Sequence, residues 1–167
     1  MTKKTFSSHA IAVGIATVAV FLGIAFSAGS AVAQQSEIDK VKAANDAYYA
    51  ALSARDIHAM EKVWSRTADV VNIAPPIRPV ANVGWDAVKK NYDGFWATLD
   101  QLTVSMEKST IVIKGQVAWV YGIENAQRRT KSGETSGGPN FGTSIFVNES
   151  GRWLMVFHQA ASIPQQR

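Results

Sequence analysis

From Leu102 to Ala161 the chain is nearly all strand pattern, and the breaks in it are short enough only for turns. No other stretch limits the fold as much. Leu102, Val104 and Met106 alternate with Thr103, Ser105 and Glu107, which is the period of a half-buried strand. The apolar phase then switches to odd positions at Ile111 and Ile113, so a bulge is predicted near Lys108-Ser109. Lys114-Gly115-Gln116 reads as a tight turn and Val117 to Arg129 as a long strand. Lys131 to Pro139, which holds three glycines, reads as a loose turn. Phe141 to Val147 and Arg152 to Ala161 complete the run, joined at Asn148-Glu149-Ser150-Gly151. Connections this short join antiparallel neighbours, because a parallel pair needs a long crossover. The expectation is an antiparallel four-stranded meander, curved by its bulge.

Such a sheet must bury one face, and the first half of the chain supplies helices to cover it. Ser36 is placed to cap a helix carrying Ile38, Val41, Tyr48, Tyr49 and Leu52 on one stripe. Asp56 is placed to cap a second, with Ile57, Met60, Val63 and Trp64 as its buried face. A third follows Gly84, with Trp85, Val88, Tyr92, Phe95 and Leu99 at helical spacing and Asp86 in the first turn, where the helix dipole favours an acid. Between them, Ala68 to Ala74 reads as a strand. Pro75, Pro76 and Pro79 exclude a central strand beyond it, leaving a loop with a short edge strand near Val80. The predicted class is α+β, with three helices from the N-terminal half on one face of the sheet.

The first 33 residues read differently. Lys3 and Lys4 precede an uncharged apolar run from Ala10 to Phe26, and Ala31-Val32-Ala33 has the small-residue spacing that a signal peptidase cuts. The run is short for a membrane span. The expectation is a cleaved signal peptide over 1–33 and a mature domain over 34–167 that is periplasmic or secreted. No stable membrane association is expected after cleavage; an uncleaved anchor is the alternative. The whole chain carries +4, and loss of Lys3 and Lys4 leaves the domain near neutral, so nucleic acid is not an expected partner. There is no cysteine, hence no disulfide, thiol nucleophile or cysteine metal site. The mature part keeps only His58 and His158, and no metal or other cofactor is expected.

The element order carries recognisable landmarks: Tyr48-Tyr49-Ala50-Ala51-Leu52-Ser53-Ala54-Arg55-Asp56, Trp64 to Val70, Gly84-Trp85-Asp86-Ala87-Val88, Gly115-Gln116-Val117-Ala118-Trp119-Val120 and Gly151-Arg152-Trp153-Leu154-Met155-Val156. Together they resemble the SnoaL-like branch of the nuclear transport factor 2-like superfamily over nearly all of 34–167. The resemblance implies a cone: a curved sheet wrapped around its helices, with a pocket at the open end and an outer sheet face that often forms a dimer. Ketosteroid isomerases belong to this superfamily. Carried over by position, their oxyanion tyrosine falls on Tyr48, their aspartate base on Asn72 and their protonated aspartate at about Thr143. An amide has no basic lone pair near neutral pH, so ketosteroid isomerase chemistry is not expected.

The resemblance directs attention to a pocket, for which Tyr48, Trp64, Asn72, Tyr92, Trp96, Trp119 and Gln159 are the candidate ligand-binding residues. Asn72 lies within Val70-Val71-Asn72-Ile73, where a buried amide needs a partner, either a ligand or a structural hydrogen bond. Glu124 and His158 are the candidate acid–base groups. Glu124 shares a strand face with Ala118, Val120 and Gly122, and projects either into a pocket or to solvent. By simple alternation His158 shares a face with Leu154 and Val156, and Gln159 with Trp153, Met155 and Phe157. Three functions remain open: a domain binding a small, mostly apolar molecule without catalysis, a lyase, cyclase or isomerase using Glu124 or His158, and an oligomeric interaction module. A homodimer is expected.

Overall fold

The structure, a computed structural model, describes residues 16–73 and 81–164. The chain forms two units, residues 1–37 and a compact body from Ile38 onward. Helix α1 spans Ala16–Ala54, α2 Ile57–Val63 and α3 Trp85–Ala97. The strands are β1 (Val71–Ile73), β2 (Ala81–Val83), β3 (Leu99–Lys114), β4 (Val117–Thr130), β5 (Thr135–Glu149) and β6 (Arg152–Ser162). Ser36 therefore lies within α1 and does not cap it. Lys3, Lys4 and the prolines at 75, 76 and 79 lie outside the described residues. Among the described residues no helix is long and apolar enough to cross a membrane.

The six strands form one sheet in the order β2-β1-β6-β5-β4-β3. The C-terminal four make the expected antiparallel meander. β1 joins β6 in parallel, with Asn72 opposite His158, which makes the sheet mixed. The predicted bulge is present: the β3–β4 register shifts between Glu107 and Thr110, and Lys108 has φ 51. After it Ile111 and Ile113 return to the helix-covered face, so the phase change in the sequence is one extra residue in the strand.

Other segments also depart from expectation: Leu99, expected on the stripe of the third helix, instead opens β3. Lys131 to Pro139 is not a loose turn throughout, because β5 already begins at Thr135 and carries Gly137, Gly138 and Pro139 opposite Gln127, Ala126 and Asn125. A Cβ at Gly137 would lie 2.3 Å from the Ala126 carbonyl oxygen, so glycine is what lets the two strands meet there. β6 has a further surprise. Ile145 pairs with Phe157 but Phe146 pairs with Met155, so Val156 is an extra residue. Beyond it the buried face runs through His158 and Ala160, in line with Trp153 and Met155. Simple alternation had put His158 with Leu154 and Val156, and the bulge reverses that.

The helices dock by stripe and by hydrogen bond. Val41, Tyr48, Tyr49 and Leu52 of α1 are buried against the sheet, with Trp64, Val88, Val120, Phe146 and Met155 in the same core. The Ser53 hydroxyl donates to the Val104 carbonyl at 3.0 Å and accepts from the Val104 amide at 2.9 Å, which ties α1 to β3. Asp56 caps α2 as predicted, accepting from the amides of His58 and Ala59.

Candidate functional site

The inner face of the meander carries a buried polar cluster. In β4, Ala118, Val120, Gly122 and Glu124 all point inward, and Glu124 is only 5% exposed. Glu124 is thus buried and not solvent-facing, though it does not line the cavity described below. The Tyr49 hydroxyl donates to Glu124 Oε2 at 3.2 Å, and the Asn140 amide reaches Oε1 at 3.5 Å. His158 Nε2 lies 3.5 Å from the same Oε2, while its Nδ1 is 3.1 Å from the Ser144 hydroxyl. The Tyr48 ring packs on the His158 ring at 4.7 Å, and the Tyr92 hydroxyl donates to that of Tyr48 at 3.3 Å. Gly142 makes room for the cluster: a Cβ there would meet Met106 Cε at 2.9 Å and the Tyr49 hydroxyl at 3.3 Å.

Burial dominates the electrostatics. It lowers the pKa of His158 to about 3, so the imidazole is neutral. It raises that of Glu124, against the opposing hydrogen bonds from Tyr49 and Asn140. It raises Tyr49 and Tyr48 as well, with the neighbouring Glu124 adding to both. Tyr92 is also raised by burial, opposed by its contacts with Tyr48 and with the Trp64 indole. That indole lies near Tyr92 but makes no well-formed hydrogen bond. With His158 neutral, its contact with Glu124 is not a charged ion pair.

The candidate ligand residues divide into two sets. Tyr48, Trp64, Asn72, Tyr92 and Trp96 are all buried in the body. Both side-chain polar atoms of Asn72, and the indole nitrogens of Trp64 and Trp96, have no hydrogen-bond partner. Trp119 and Gln159 belong elsewhere. Trp119 pairs with Ile145 on the outer face, and Gln159 is exposed next to inward-facing His158. Thr143 also faces outward, opposite Tyr121 and Gln159, and the inward residue beside it is Ser144.

A cavity of about 410 Å³ opens on the inner side of the sheet. Phe95, Leu102, Val104 and Ala126 give it an apolar wall, and Arg128 and Asn140 bring polar groups to it. None of the seven candidate ligand residues borders it. Asn140 connects it to the cluster, since its side chain lies between the cavity and Glu124. Asn140 and Ser144 reach the cluster through strand register, which the sequence does not display: Glu124 lies opposite Asn140, and Ser144 opposite His158. Among the described residues no group of three or more His, Cys, Asp or Glu is arranged to hold a metal.

Three helices on one face of an open, mixed six-stranded sheet make the α+β fold of the nuclear transport factor 2-like class. Within it the chain belongs to the SnoaL-like domain family, which it matches over residues 41–166. No curated protein matches it. Among solved structures it resembles a candidate dehydratase of the nuclear transport factor 2-like family from Streptomyces avermitilis. That match has TM-score 0.70 and 18% identity, and covers 78% of this chain and 99% of the other. It also resembles a nuclear transport factor 2-like superfamily protein from Salmonella enterica, with TM-score 0.69, 12% identity and coverage of 83% and 96%. A ketosteroid isomerase-like protein from Erwinia carotovora atroseptica gives TM-score 0.65, 19% identity and coverage of 77% and 98%. At these identities the likeness is one of fold.

Proposed function

We propose that the domain binds a small, mostly apolar molecule in the cavity on the inner face of the sheet. One observation carries the reading: the cavity sets the apolar side chains of Phe95, Leu102, Val104 and Ala126 beside the polar groups of Arg128, Ser136, Asn140 and Ser162, and its 410 Å³ falls within the usual range for a small-molecule site. Titration of the protein with steroid-like, aromatic and polyketide-like compounds, followed by tryptophan fluorescence, tests it. Leu102→Trp fills the cavity and is expected to weaken any binding by at least roughly tenfold. Unchanged affinity in a folded Leu102→Trp protein, or no binding by any compound, sinks the proposal.

A second reading is an acid–base enzyme of lyase, cyclase or isomerase type. It is favoured by Glu124, a carboxyl with a raised pKa one side chain behind the cavity wall, in contact with neutral His158. General acid–base catalysis contributes roughly 10²–10⁴-fold, so Glu124→Gln should lower turnover of a substrate by that factor and leave its binding intact. Turnover unaffected by this change excludes Glu124.

The setting is also proposed. The leader pattern favours export with cleavage after Ala33, leaving Gln34 as the mature N-terminus; the intact mass of the exported species decides it. The outer sheet face presents Trp119, Tyr121, Ile123, Ile145 and Phe157 together, with Phe141 47% exposed. This apolar patch favours a homodimer. Sedimentation at micromolar concentration should give twice the mature mass, and Trp119→Glu should give the monomer. A native monomer at that concentration counts against it.

A further inference from the structure

We infer that the cavity selects a monocarboxylate with an apolar body, bound through Arg128; this rests on the small-molecule reading above. Arg128 is the only charged residue among those lining the cavity, and no acid there answers it. Its Nε donates to the Ser136 hydroxyl at 2.7 Å, and no carboxylate among the described residues forms an ion pair with it. The neighbouring Arg129 is different, because it turns away and pairs with Asp100. The Ser136 bond fixes the plane of the guanidinium while leaving the terminal nitrogens without an acid partner.

A half-buried cation beside Phe95, Leu102, Val104 and Ala126 is poorly hydrated, so a ligand anion there gains more than it would on an open surface. The guanidinium fork matches the two oxygens of a carboxylate. The charge count sets the class: one arginine, with no lysine or histidine among the lining residues, neutralises one negative charge and would leave a phosphate dianion under-compensated. Phe95, Leu102, Val104, Ala126 and Ile163 give the wall an apolar side that suits an aliphatic or aromatic body, with Ser162 and the backbone of Gly137, Gly138 and Pro139 beside it. Asn140 at the inner end adds an amide.

Isothermal titration with two matched pairs tests this: 1-naphthylacetate against 1-naphthylacetamide, and octanoate against octanamide. Each amide keeps the shape and removes the charge. The native protein is expected to bind each acid at least about tenfold more tightly than its amide. Arg128→Gln should bring the two affinities together, chiefly by weakening that of the acid. Arg128→Lys keeps the charge and the aliphatic stem but loses the fork, and should give an intermediate preference; it also decides the matter if the glutamine variant does not fold. Equal binding of acid and amide by native protein overturns the carboxylate inference and leaves the cavity reading standing. A full acid preference retained in a folded Arg128 variant also overturns it. Binding of neither member of either pair overturns both.

Discussion

Between pH 4.5 and pH 3.5 the native protein is expected to lose stability steeply, and a His158→Gln protein is expected to lose much less. The sign follows from the burial of His158. Its folded pKa of about 3 lies below the ordinary value of 6.5, so the unfolded chain takes up a proton that the folded one refuses. Stability from this group is complete above about pH 6.5 and is lost as pH falls toward 3. By pH 4 the loss is on the order of 3 kcal/mol. Glu124 acts in the opposite direction. Its folded pKa is raised, so its contribution is present at low pH and is lost as pH rises through the folded value. From about pH 4.5 up to the raised folded value of Glu124 the two slopes oppose each other, and below pH 4.5 only the histidine slope remains. Urea midpoints at half-unit pH steps from 3.5 to 7.5 measure the balance. Glutamine at 158 is neutral and can still bond the Ser144 hydroxyl, so its main effect should be to flatten the acid limb. Glu124→Gln should instead steepen the fall just above pH 4.5, because it removes the opposing slope. Parallel pH profiles for native and His158→Gln proteins would falsify the neutral-histidine assignment.

Local pattern foretold most of the fold. The strand alternation of β3, the phase change at Lys108 and the cap at Asp56 depend on neighbours in the chain, and all three appear where the residues place them. Two features depended on cross-strand geometry and were not legible. The extra residue at Val156 leaves no mark in the sequence, because Leu154, Met155, Val156 and Phe157 are all apolar and fit either face. The glycines before Pro139 read as a turn, but their role is to let β4 and β5 approach closely. The site divides along the same line. Glu124 and His158 stood out as titratable groups within apolar strands, yet their meeting requires the β4–β5–β6 register and the Val156 bulge together. Arg128 gave no signal, because Arg128-Arg129 resembles a solvated pair until one residue turns inward and the other outward.

The remaining expected result concerns Asn72, onto which the sequence resemblance carries the isomerase base, and which lies in the body with neither polar atom satisfied. The native protein should not shift the double bond of a small β,γ-unsaturated ketone such as cyclohex-3-enone. Asn72→Asp should bring in a rate roughly 10²-fold above native, the lower end of what a general base supplies. The replacement is nearly isosteric, and burial would raise the new carboxyl's pKa. Stability of this variant should then fall as pH rises above about 4, because the folded state holds a proton that the unfolded state releases. Activity should rise over the same range as the carboxylate forms. Tyr48 is suited to hold the oxyanion: its hydroxyl accepts from Tyr92, which leaves its own proton free to donate. A second donor is lacking, since Thr143 faces outward and the Ser144 hydroxyl is engaged with His158. The rate should therefore stay far below that of a true isomerase, and Tyr48→Phe in the same background should abolish most of it. The pH profile of stability separates the two ways to fail. A folded Asn72→Asp protein with the predicted pH slope and no activity has its carboxyl buried as expected but out of reach of the ketone. Asn72 is then a buried structural amide, and the chemistry of this domain, if it has any, belongs to Glu124.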